Sequence, residues 1–438
     1  MFEPSVGSSA SAVGGSAGML DAPTIAGWVA NLAEVDRNAT DEERIDQIRE
    51  LEVLKCAAEA AQAVLTADFD ASQREKQAVA GVSAQQHGRG VAAQIALARR
   101  ESPHKGQQHL GLAKILATEL PHTLAAFTAG RITEWRAMLI GRETGCLSLA
   151  DRRAVDEALA AEPERLAAMG DRELVSEARK LAYRLDPGSF VERRRRAEAD
   201  RAVTIRPAPD TMCYLTELLP VAQGVAVYAA LRKAADSARA GGDPRGQGQI
   251  MADTLVERVT GQASADDVPL RINLVISDDV LFGADGHGHI PGFGPVPGDL
   301  VRDLATRGRQ KKLLRRLYAR PATGELVAME SRSRTFPRGL GELIDLRDQT
   351  CRTPWCDAPI RHHDHARSAE EDGATSASNG QGLCEACNYA KQAPGWSARP
   401  RPGPGHTVET RTPTGHSYRS QAPPAIHPDI YWPLKIAS

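Results

Sequence analysis

The chain has 438 residues, 42% of them apolar and 25% charged, with a formal net charge of −2. That length admits two or three domains with a sizeable core, and the composition is that of a globular protein. A near-neutral balance excludes general steering toward nucleic acid, so such a partner would have to be met by a local patch. Aromatic residues make up only 4%, which points to aliphatic, Ala-rich cores and favours helix packing. The best apolar run, residues 218–231, contains Pro, Gln and Gly and is shorter than the ~20 residues a membrane span requires. The first residues lack a basic segment ahead of an apolar one, so they do not read as a secretory signal. The expected location is the cytoplasm, with no membrane partner.

Residues 1–21 are Ser/Gly/Ala-rich and read as a flexible tail. Residues 22–190 read as a helical domain. The stretch 40–65 opens with a Thr40…Glu43 capping box, after which Ile45, Ile48, Leu51 and Leu54 recur at helical spacing. Similar text follows around 91–99, 111–119, 132–140, 151–168 and 171–183, punctuated by Pro103, Pro121, Gly130, Gly170 and Pro187. Residues 191–306 mix strand and helix: 201–207 and 268–277 alternate like strands, with helical text between them. The Gly/Pro stretch 283–298 reads as a loop. A basic helix or linker spans 307–340, and its segment 307–320 carries Arg307, Arg309, Lys311, Lys312, Arg315, Arg316 and Arg320 without one acid. Such a run is either a solvated helix face or a phosphate-contacting one. A small domain over 341–398 and a Pro/Gly-rich tail over 399–438, with a short hairpin, complete the chain.

Of the seven cysteines, Cys56, Cys146 and Cys213 are scattered and read as small buried apolar residues. The other four are crowded: four residues separate Cys351 from Cys356, and two separate Cys384 from Cys387. Each pair can form a knuckle, and together they offer four thiolates to one structural zinc ion. The segment has few large apolar residues and needs such a staple. A four-thiolate site leaves no open position for substrate, so Asp364, His365, Asn379 and Asn388 require a separate account.

In "RHHDHARS", "TSASNGQGLC" and "CEACNYAK" an Asp-His pair, a central Asn and a final Asn follow in order, and this resembles the HNH endonucleases. Text such as "MCYLTELLPVAQGVAVYAAL" and "GQIMADTLVERVTG", ahead of "RDQTC" and "NGQGLCEACNYAK", is similar to the 13E12-repeat proteins. In that family a long amino-terminal domain of unknown function, of the DUF222 type, precedes an HNH nuclease. The resemblance implies a mainly α protein with a smaller α+β part: a long helical domain followed by a zinc-stapled ββα-metal (HNH, His-Me finger) domain. It implies a metal-dependent DNA endonuclease in which His365 is the general base, since an imidazole, ordinarily titrating at about 6.5, can take a proton from water at neutral pH. Asp364 and Asn388 would hold a magnesium or manganese ion. Asn379 would hold the loop and orient His365. Arg309, Lys311, Lys312, Arg315, Arg316 and Lys391 would contact nucleic acid, DNA or RNA, and His362 and His363 would flank the site. Trp396 is expected to pack under the zinc knuckle. The sequence departs from the family pattern in placing Asn388 where the final histidine stands and in keeping only Gly373 of a Gly-Gly pair. The alternative reading is a catalytically degenerate, zinc-stapled nucleic-acid-binding module.

Overall fold

The computed structural model describes residues 21–35, 37–262, 264, 286–290, 294–306, 330–331, 335–402 and 405–424. The basic run with Arg309, Lys311, Lys312, Arg315 and Arg316, the expected strand 268–277, the tail 1–20 and the end of the chain from 425 lie outside the described residues. The protein is mainly helical with small sheets, in two units, residues 1–55 and 56–438. Among the described residues no helix is long and apolar enough to cross a membrane.

The first unit holds α1 (Ala22–Leu32) and the beginning of α2 (Asp41–Val79). Asp21 starts α1 by accepting from the Thr24 N–H at 2.9 Å. The expected capping box starts α2: Thr40 N–H donates to the Glu43 carboxylate at 2.7 Å, and Glu43 N–H donates to Thr40 Oγ1 at 3.3 Å. Ile45, Ile48, Leu51 and Leu54 lie on this helix, as their spacing predicts, but all four are exposed. Leu54, Trp28, Asn31 and Leu32 line a shallow apolar groove of about 340 Å³.

The second unit begins with a helical core. It comprises the remainder of α2, α3 (Val91–Arg99), α4 (Pro103–Thr118), α5 (Pro121–Thr128), α6 (Glu134–Thr144), α7 (Leu149–Ala160), α8 (Pro163–Ala168), α9 (Asp171–Leu185) and α10 (Pro187–Ala199). Pro103, Pro121 and Pro187 open their helices instead of breaking them, because a first-turn residue has no N–H bond to lose. Leu116, Leu120, Phe127, Ile132, Ile140, Leu166 and Leu174 are almost completely buried in one aliphatic cluster that also takes in Cys56 and several alanines. Burying each large side chain contributes roughly 1.5–3 kcal/mol.

Several charged groups inside this core are matched. The buried Asp156 carboxylate accepts from the N–H groups of His122 and Thr123 at 2.7 and 2.9 Å, satisfying the start of α5. Glu143, with no exposed surface, is met by Arg179 at 2.9 Å and Arg193 at 3.2 Å. Burial opposes its ionisation, but the Arg179 hydrogen bond and the surrounding guanidinium charges outweigh this and lower its pKa.

Beyond α10 the strand expected at 201–207 is β1 (Ala202–Pro207), paired antiparallel with β2 (Cys213–Leu218). Two helices follow, α11 (Val221–Ala240) and α12 (Gln247–Thr260). Cys213 is exposed on β2 and Cys146 is half-buried; of the three scattered cysteines only Cys56 is the buried apolar residue expected. The expected 283–298 loop contains an antiparallel pair, β3 (His287–Ile290) and β4 (Gly294–Pro297), leading into α13 (Gly298–Thr306).

The carboxy-terminal module is built on α14 (Arg338–Asp348), β6 (His362–His365), β7 (Thr375–Ser376), β8 (Gly380–Leu383) and α15 (Glu385–Lys391). A short β5 (Glu330–Ser331) pairs with β7. The segment expected as Pro/Gly-rich tail is instead a three-stranded antiparallel sheet of β9 (Ser397–Arg401), β10 (Thr407–Arg411) and β11 (Ser417–Gln421). Val408 and Ala398 of that sheet pack on Ala366, giving it the apolar contact its composition concealed.

Candidate functional site

The four crowded cysteines come together. Cys351 follows α14, Cys356 lies five residues on, and Cys384 caps α15, its sulfur accepting from the Cys387 N–H at 3.4 Å. All four are buried, and their sulfurs lie within 4.8 Å of one another. The Cys356 and Cys384 sulfurs are 3.7 Å apart. Two thiolates on a tetrahedral zinc, each at about 2.3 Å from the ion, stand about 3.8 Å apart, so this donor set fits one such ion. Sulfurs this close share protons unequally. Hydrogen bonds from Cys351, Cys356 and Cys387 pull the Cys384 thiol down, while those to Cys351 and Cys384, together with burial, push Cys356 up. A cation would relieve the competition.

Beside the cysteines, β6 pairs antiparallel with β8, setting His362 opposite Leu383, His363 opposite Gly382, Asp364 opposite Gln381 and His365 opposite Gly380. A buried ion pair supports the pairing. Arg347 is held by Asp348 at 2.7 Å and donates to the Gly380 and Ala377 carbonyls, while Asp348 accepts from the Gly382 N–H at 2.7 Å. Gly380 must be glycine, because a Cβ there would stand 2.6 Å from both Ile344 Cδ1 and Phe336 Cε1. Sequence reasoning gave Arg347 and Asp348 no role; the "RDQTC" text that holds them carries no signal that they are buried.

Alternation along β6 puts His363 and His365 on one face and His362 and Asp364 on the other, toward α15. His365 is buried, with Nε2 at 2.8 Å from Thr375 Oγ1 and its ring centroid 4.7 Å from that of Phe336. On the same face as His365, His363 meets α14: Asp345 Oδ1 lies 2.7 Å from its Nε2, and this hydrogen bond raises its pKa. His362 lies beside the Tyr389 ring. Asp364 pairs with Lys391, whose Nζ is 2.5 Å from both Asp364 Oδ2 and the His365 carbonyl. Lys391 is therefore turned into the site. Thr375 and Phe336 were missed by sequence reasoning: a hydroxyl ten residues away and a ring before α14 become neighbours of His365 only through the fold.

Asn379 is buried and clamps the loop between β6 and β7. Its Oδ1 accepts from Arg367 N–H at 2.9 Å, and its Nδ2 donates to the carbonyls of Arg367 and Ala374 at 3.0 and 2.9 Å. It holds the loop, as expected, while the hydroxyl placed on the His365 imidazole is that of Thr375. Asn388 sits three residues before Lys391, on the same face of α15. Its Oδ1 is buried and has no hydrogen-bond partner among the described residues, an acceptor whose desolvation cost a cation would offset. Asp364 and His365 open, with Thr335, Ser368, Ala369 and Glu370, onto a cleft of about 280 Å³. Trp396, expected under the zinc knuckle, is not among the described residues packed against the cysteine cluster; its indole nitrogen rests against Gly90.

The sequence matches the family described as "Domain of unknown function (DUF222)" over residues 32–348. No match to the chain was found among curated proteins or among solved structures. The matched span ends at Asp348, so the cysteine cluster and, apart from Thr335, the residues lining the Asp364–His365 cleft lie beyond it.

Proposed function

From the premise that the chain belongs to the DUF222 family, a description that assigns no activity, we propose on the chemistry of its carboxy-terminal module that the protein is a metal-dependent DNA endonuclease with an HNH-type site. The observation that carries this reading is the pairing of two chemistries on one four-residue strand. His365 is buried against Thr375 and Phe336, and its neighbour Asp364 faces α15 and the cleft.

His365, oriented by Thr375, takes the proton from an attacking water. Asp364 and the buried Asn388 oxygen would hold a divalent magnesium or manganese ion, two hard oxygen ligands of the kind such ions select. When bound, that ion supplies charge stabilisation at the scissile phosphate and the leaving oxygen. Lys391, three residues from Asn388, holds Asp364 in place and lies within reach of an incoming phosphate. Cys351, Cys356, Cys384 and Cys387 bind a structural zinc that fixes the start of α15. Arg309, Lys311, Lys312, Arg315 and Arg316 supply phosphate contacts.

A second reading has one observation in its favour. The Lys391–Asp364 ion pair places a cation on the very carboxylate a metal would use, as a catalytically degenerate nucleic-acid-binding module would.

Plasmid cleavage with and without magnesium separates the two readings. His365→Ala should keep fold and DNA affinity but lose about 10²–10⁴ in rate, the usual range for removal of a general base. Asp364→Ala and Asn388→Ala should lose activity that excess metal partly restores, whereas His363→Ala should do much less. A His365→Ala protein that cuts at the wild-type rate would refute the assignment. Wild type that binds DNA but never cuts it favours the degenerate module, and cleavage of RNA alone reassigns the substrate.

A further inference from the structure

Between α2 and α3 runs "VSAQQHGRG" (residues 82–90), a segment with no role in the chemistry above. It is anchored on one side to the helical core. Gln77 of α2 donates from Nε2 to the Arg89 carbonyl at 3.2 Å and accepts from the Gly88 N–H at 2.5 Å. Arg74 donates to the His87 carbonyl at 3.0 Å and is itself held by the buried Asp70 at 2.7 Å. On the other side the segment grips α15. Arg89 Nε donates to the Tyr389 carbonyl at 3.1 Å, and Nη2 donates to Gln392 Oε1 at 3.3 Å.

Tyr389 lies in the last turn of α15, where carbonyls lack intrahelical donors and the helix dipole favours a cation. Gly90 allows the close approach. Its φ is +83°, and a Cβ there would stand 2.6 Å from Trp396 Nε1 and 3.1 Å from Ala393 Cβ. Thr414 Oγ1 adds a second tie, donating to Gln94 of α3 at 3.1 Å.

A seven-residue helix has little stability of its own. Cys384 and Cys387 fix only the start of α15. We infer that segment 82–90 is a brace and Arg89 a positioning residue: the helical domain fixes the far end of α15 and thereby sets Asn388 and Lys391 against Asp364 and His365. The catalytic consequence rests on the nuclease reading; the mechanical one does not.

Hydrogen exchange of amides 388–393 in the full-length, zinc-loaded protein tests the mechanical part. Arg89→Ala should exchange there about tenfold faster, the size expected for loss of a hydrogen bond to a charged group, with zinc content unchanged. Gly90→Ala should have at least as large an effect. Arg89→Lys should not restore protection, because one ammonium cannot reproduce the two-point grip of a guanidinium. The positioning role is read from manganese affinity, which should weaken, and from kcat, which should fall with KM nearly constant. Wild-type exchange at 388–393 in both Arg89→Ala and Gly90→Ala overturns the brace. Faster exchange with unchanged manganese affinity and kcat overturns the positioning role. Faster exchange and weaker manganese binding in a protein that cleaves nothing support the brace while removing the nuclease reading.

Discussion

Phe127, Leu116, Leu120 and Ile140 are buried among helices that supply further aliphatic neighbours on every side, whereas the cluster around Cys351, Cys356, Cys384 and Cys387 contains a single large apolar residue, Leu383. The helical core is held by area removed from water, a sum over many side chains. The carboxy-terminal module has only small apolar clusters, such as Leu340, Ile344 and Ala377, and adds to them a few directed interactions: four sulfurs, the Arg347–Asp348 pair and the Asn379 clamp. Cores of the first kind degrade gradually under substitution. Networks of the second kind fail when one member is lost, because the rest are left buried and unsatisfied.

The sharpest test of that difference is metal removal. A structural zinc contributes on the order of 10–16 kcal/mol in small metallo-domains. Chelation, or Cys384→Ser, should therefore unfold residues 338–424 while most of the helical circular dichroism survives. Elemental analysis should find one zinc per chain in the wild type. Protein that holds no zinc yet resists proteolysis across 338–424 would show the module to be self-sufficient.

The converse test strikes the helical core. Phe127→Ala should cost about 3–5 kcal/mol, the range for emptying a fully buried aromatic site, and lower the denaturation midpoint of the helical region. Zinc stoichiometry should not change. If zinc were lost together with helical stability, the two regions would be one cooperative unit and the contrast between them would disappear.

The helical core was largely legible in sequence because its information is local: spacing of apolar residues, the Thr40–Glu43 box, prolines and glycines at helix ends. Residues 151–168 were read as one helix and are two, parted ahead of Pro163. The spacing of Ile45, Ile48, Leu51 and Leu54 identified a helix but not which face is buried, since periodicity carries no information about a partner. The cysteine cluster was legible because few arrangements of four close thiols are chemically sensible. Thr375 beside His365, Asp345 beside His363 and Arg89 beside Tyr389 were not legible, because each pair meets only after 10, 18 or 300 residues of chain have folded. The sheet over 397–421 was hidden by its prolines and glycines: Pro400 stands inside β9, while Pro402, Gly405, Pro413 and Gly415 lie between strands.

The smallest expected effect contrasts one buried histidine from each region. His109, in the helical core, lies between Glu134 at 2.8 Å and Glu101 at 2.7 Å. The Glu134 hydrogen bond raises its pKa against the cost of burial, with Glu101 adding to and Arg99 opposing the shift. A raised folded-state pKa means stability that is complete below the ordinary value near 6.5 and is lost as pH rises through the higher folded value. His406, in the module, donates from Nε2 to the Ser378 carbonyl at 3.0 Å and buries an Nδ1 with no partner among the described residues. Burial, reinforced by Arg347 and Arg352 and opposed by Asp348, lowers its pKa to about 4. Its stabilisation is therefore present above pH 6.5 and is lost as pH falls toward 4, by up to about 3 kcal/mol at 1.36 kcal/mol per unit. The regions should respond in opposite directions: hydrogen exchange in α4 and α6 should quicken above neutrality, and exchange in β8 and β10 should quicken in acid. His109→Gln should flatten the first response. Thiolate protonation also weakens the module in acid, so the second is read as the difference between wild type and His406→Gln, whose amide can keep the bond to Ser378 without taking up a proton. Equal acid sensitivity in those two proteins would show that the thiolates alone set the module's acid limit.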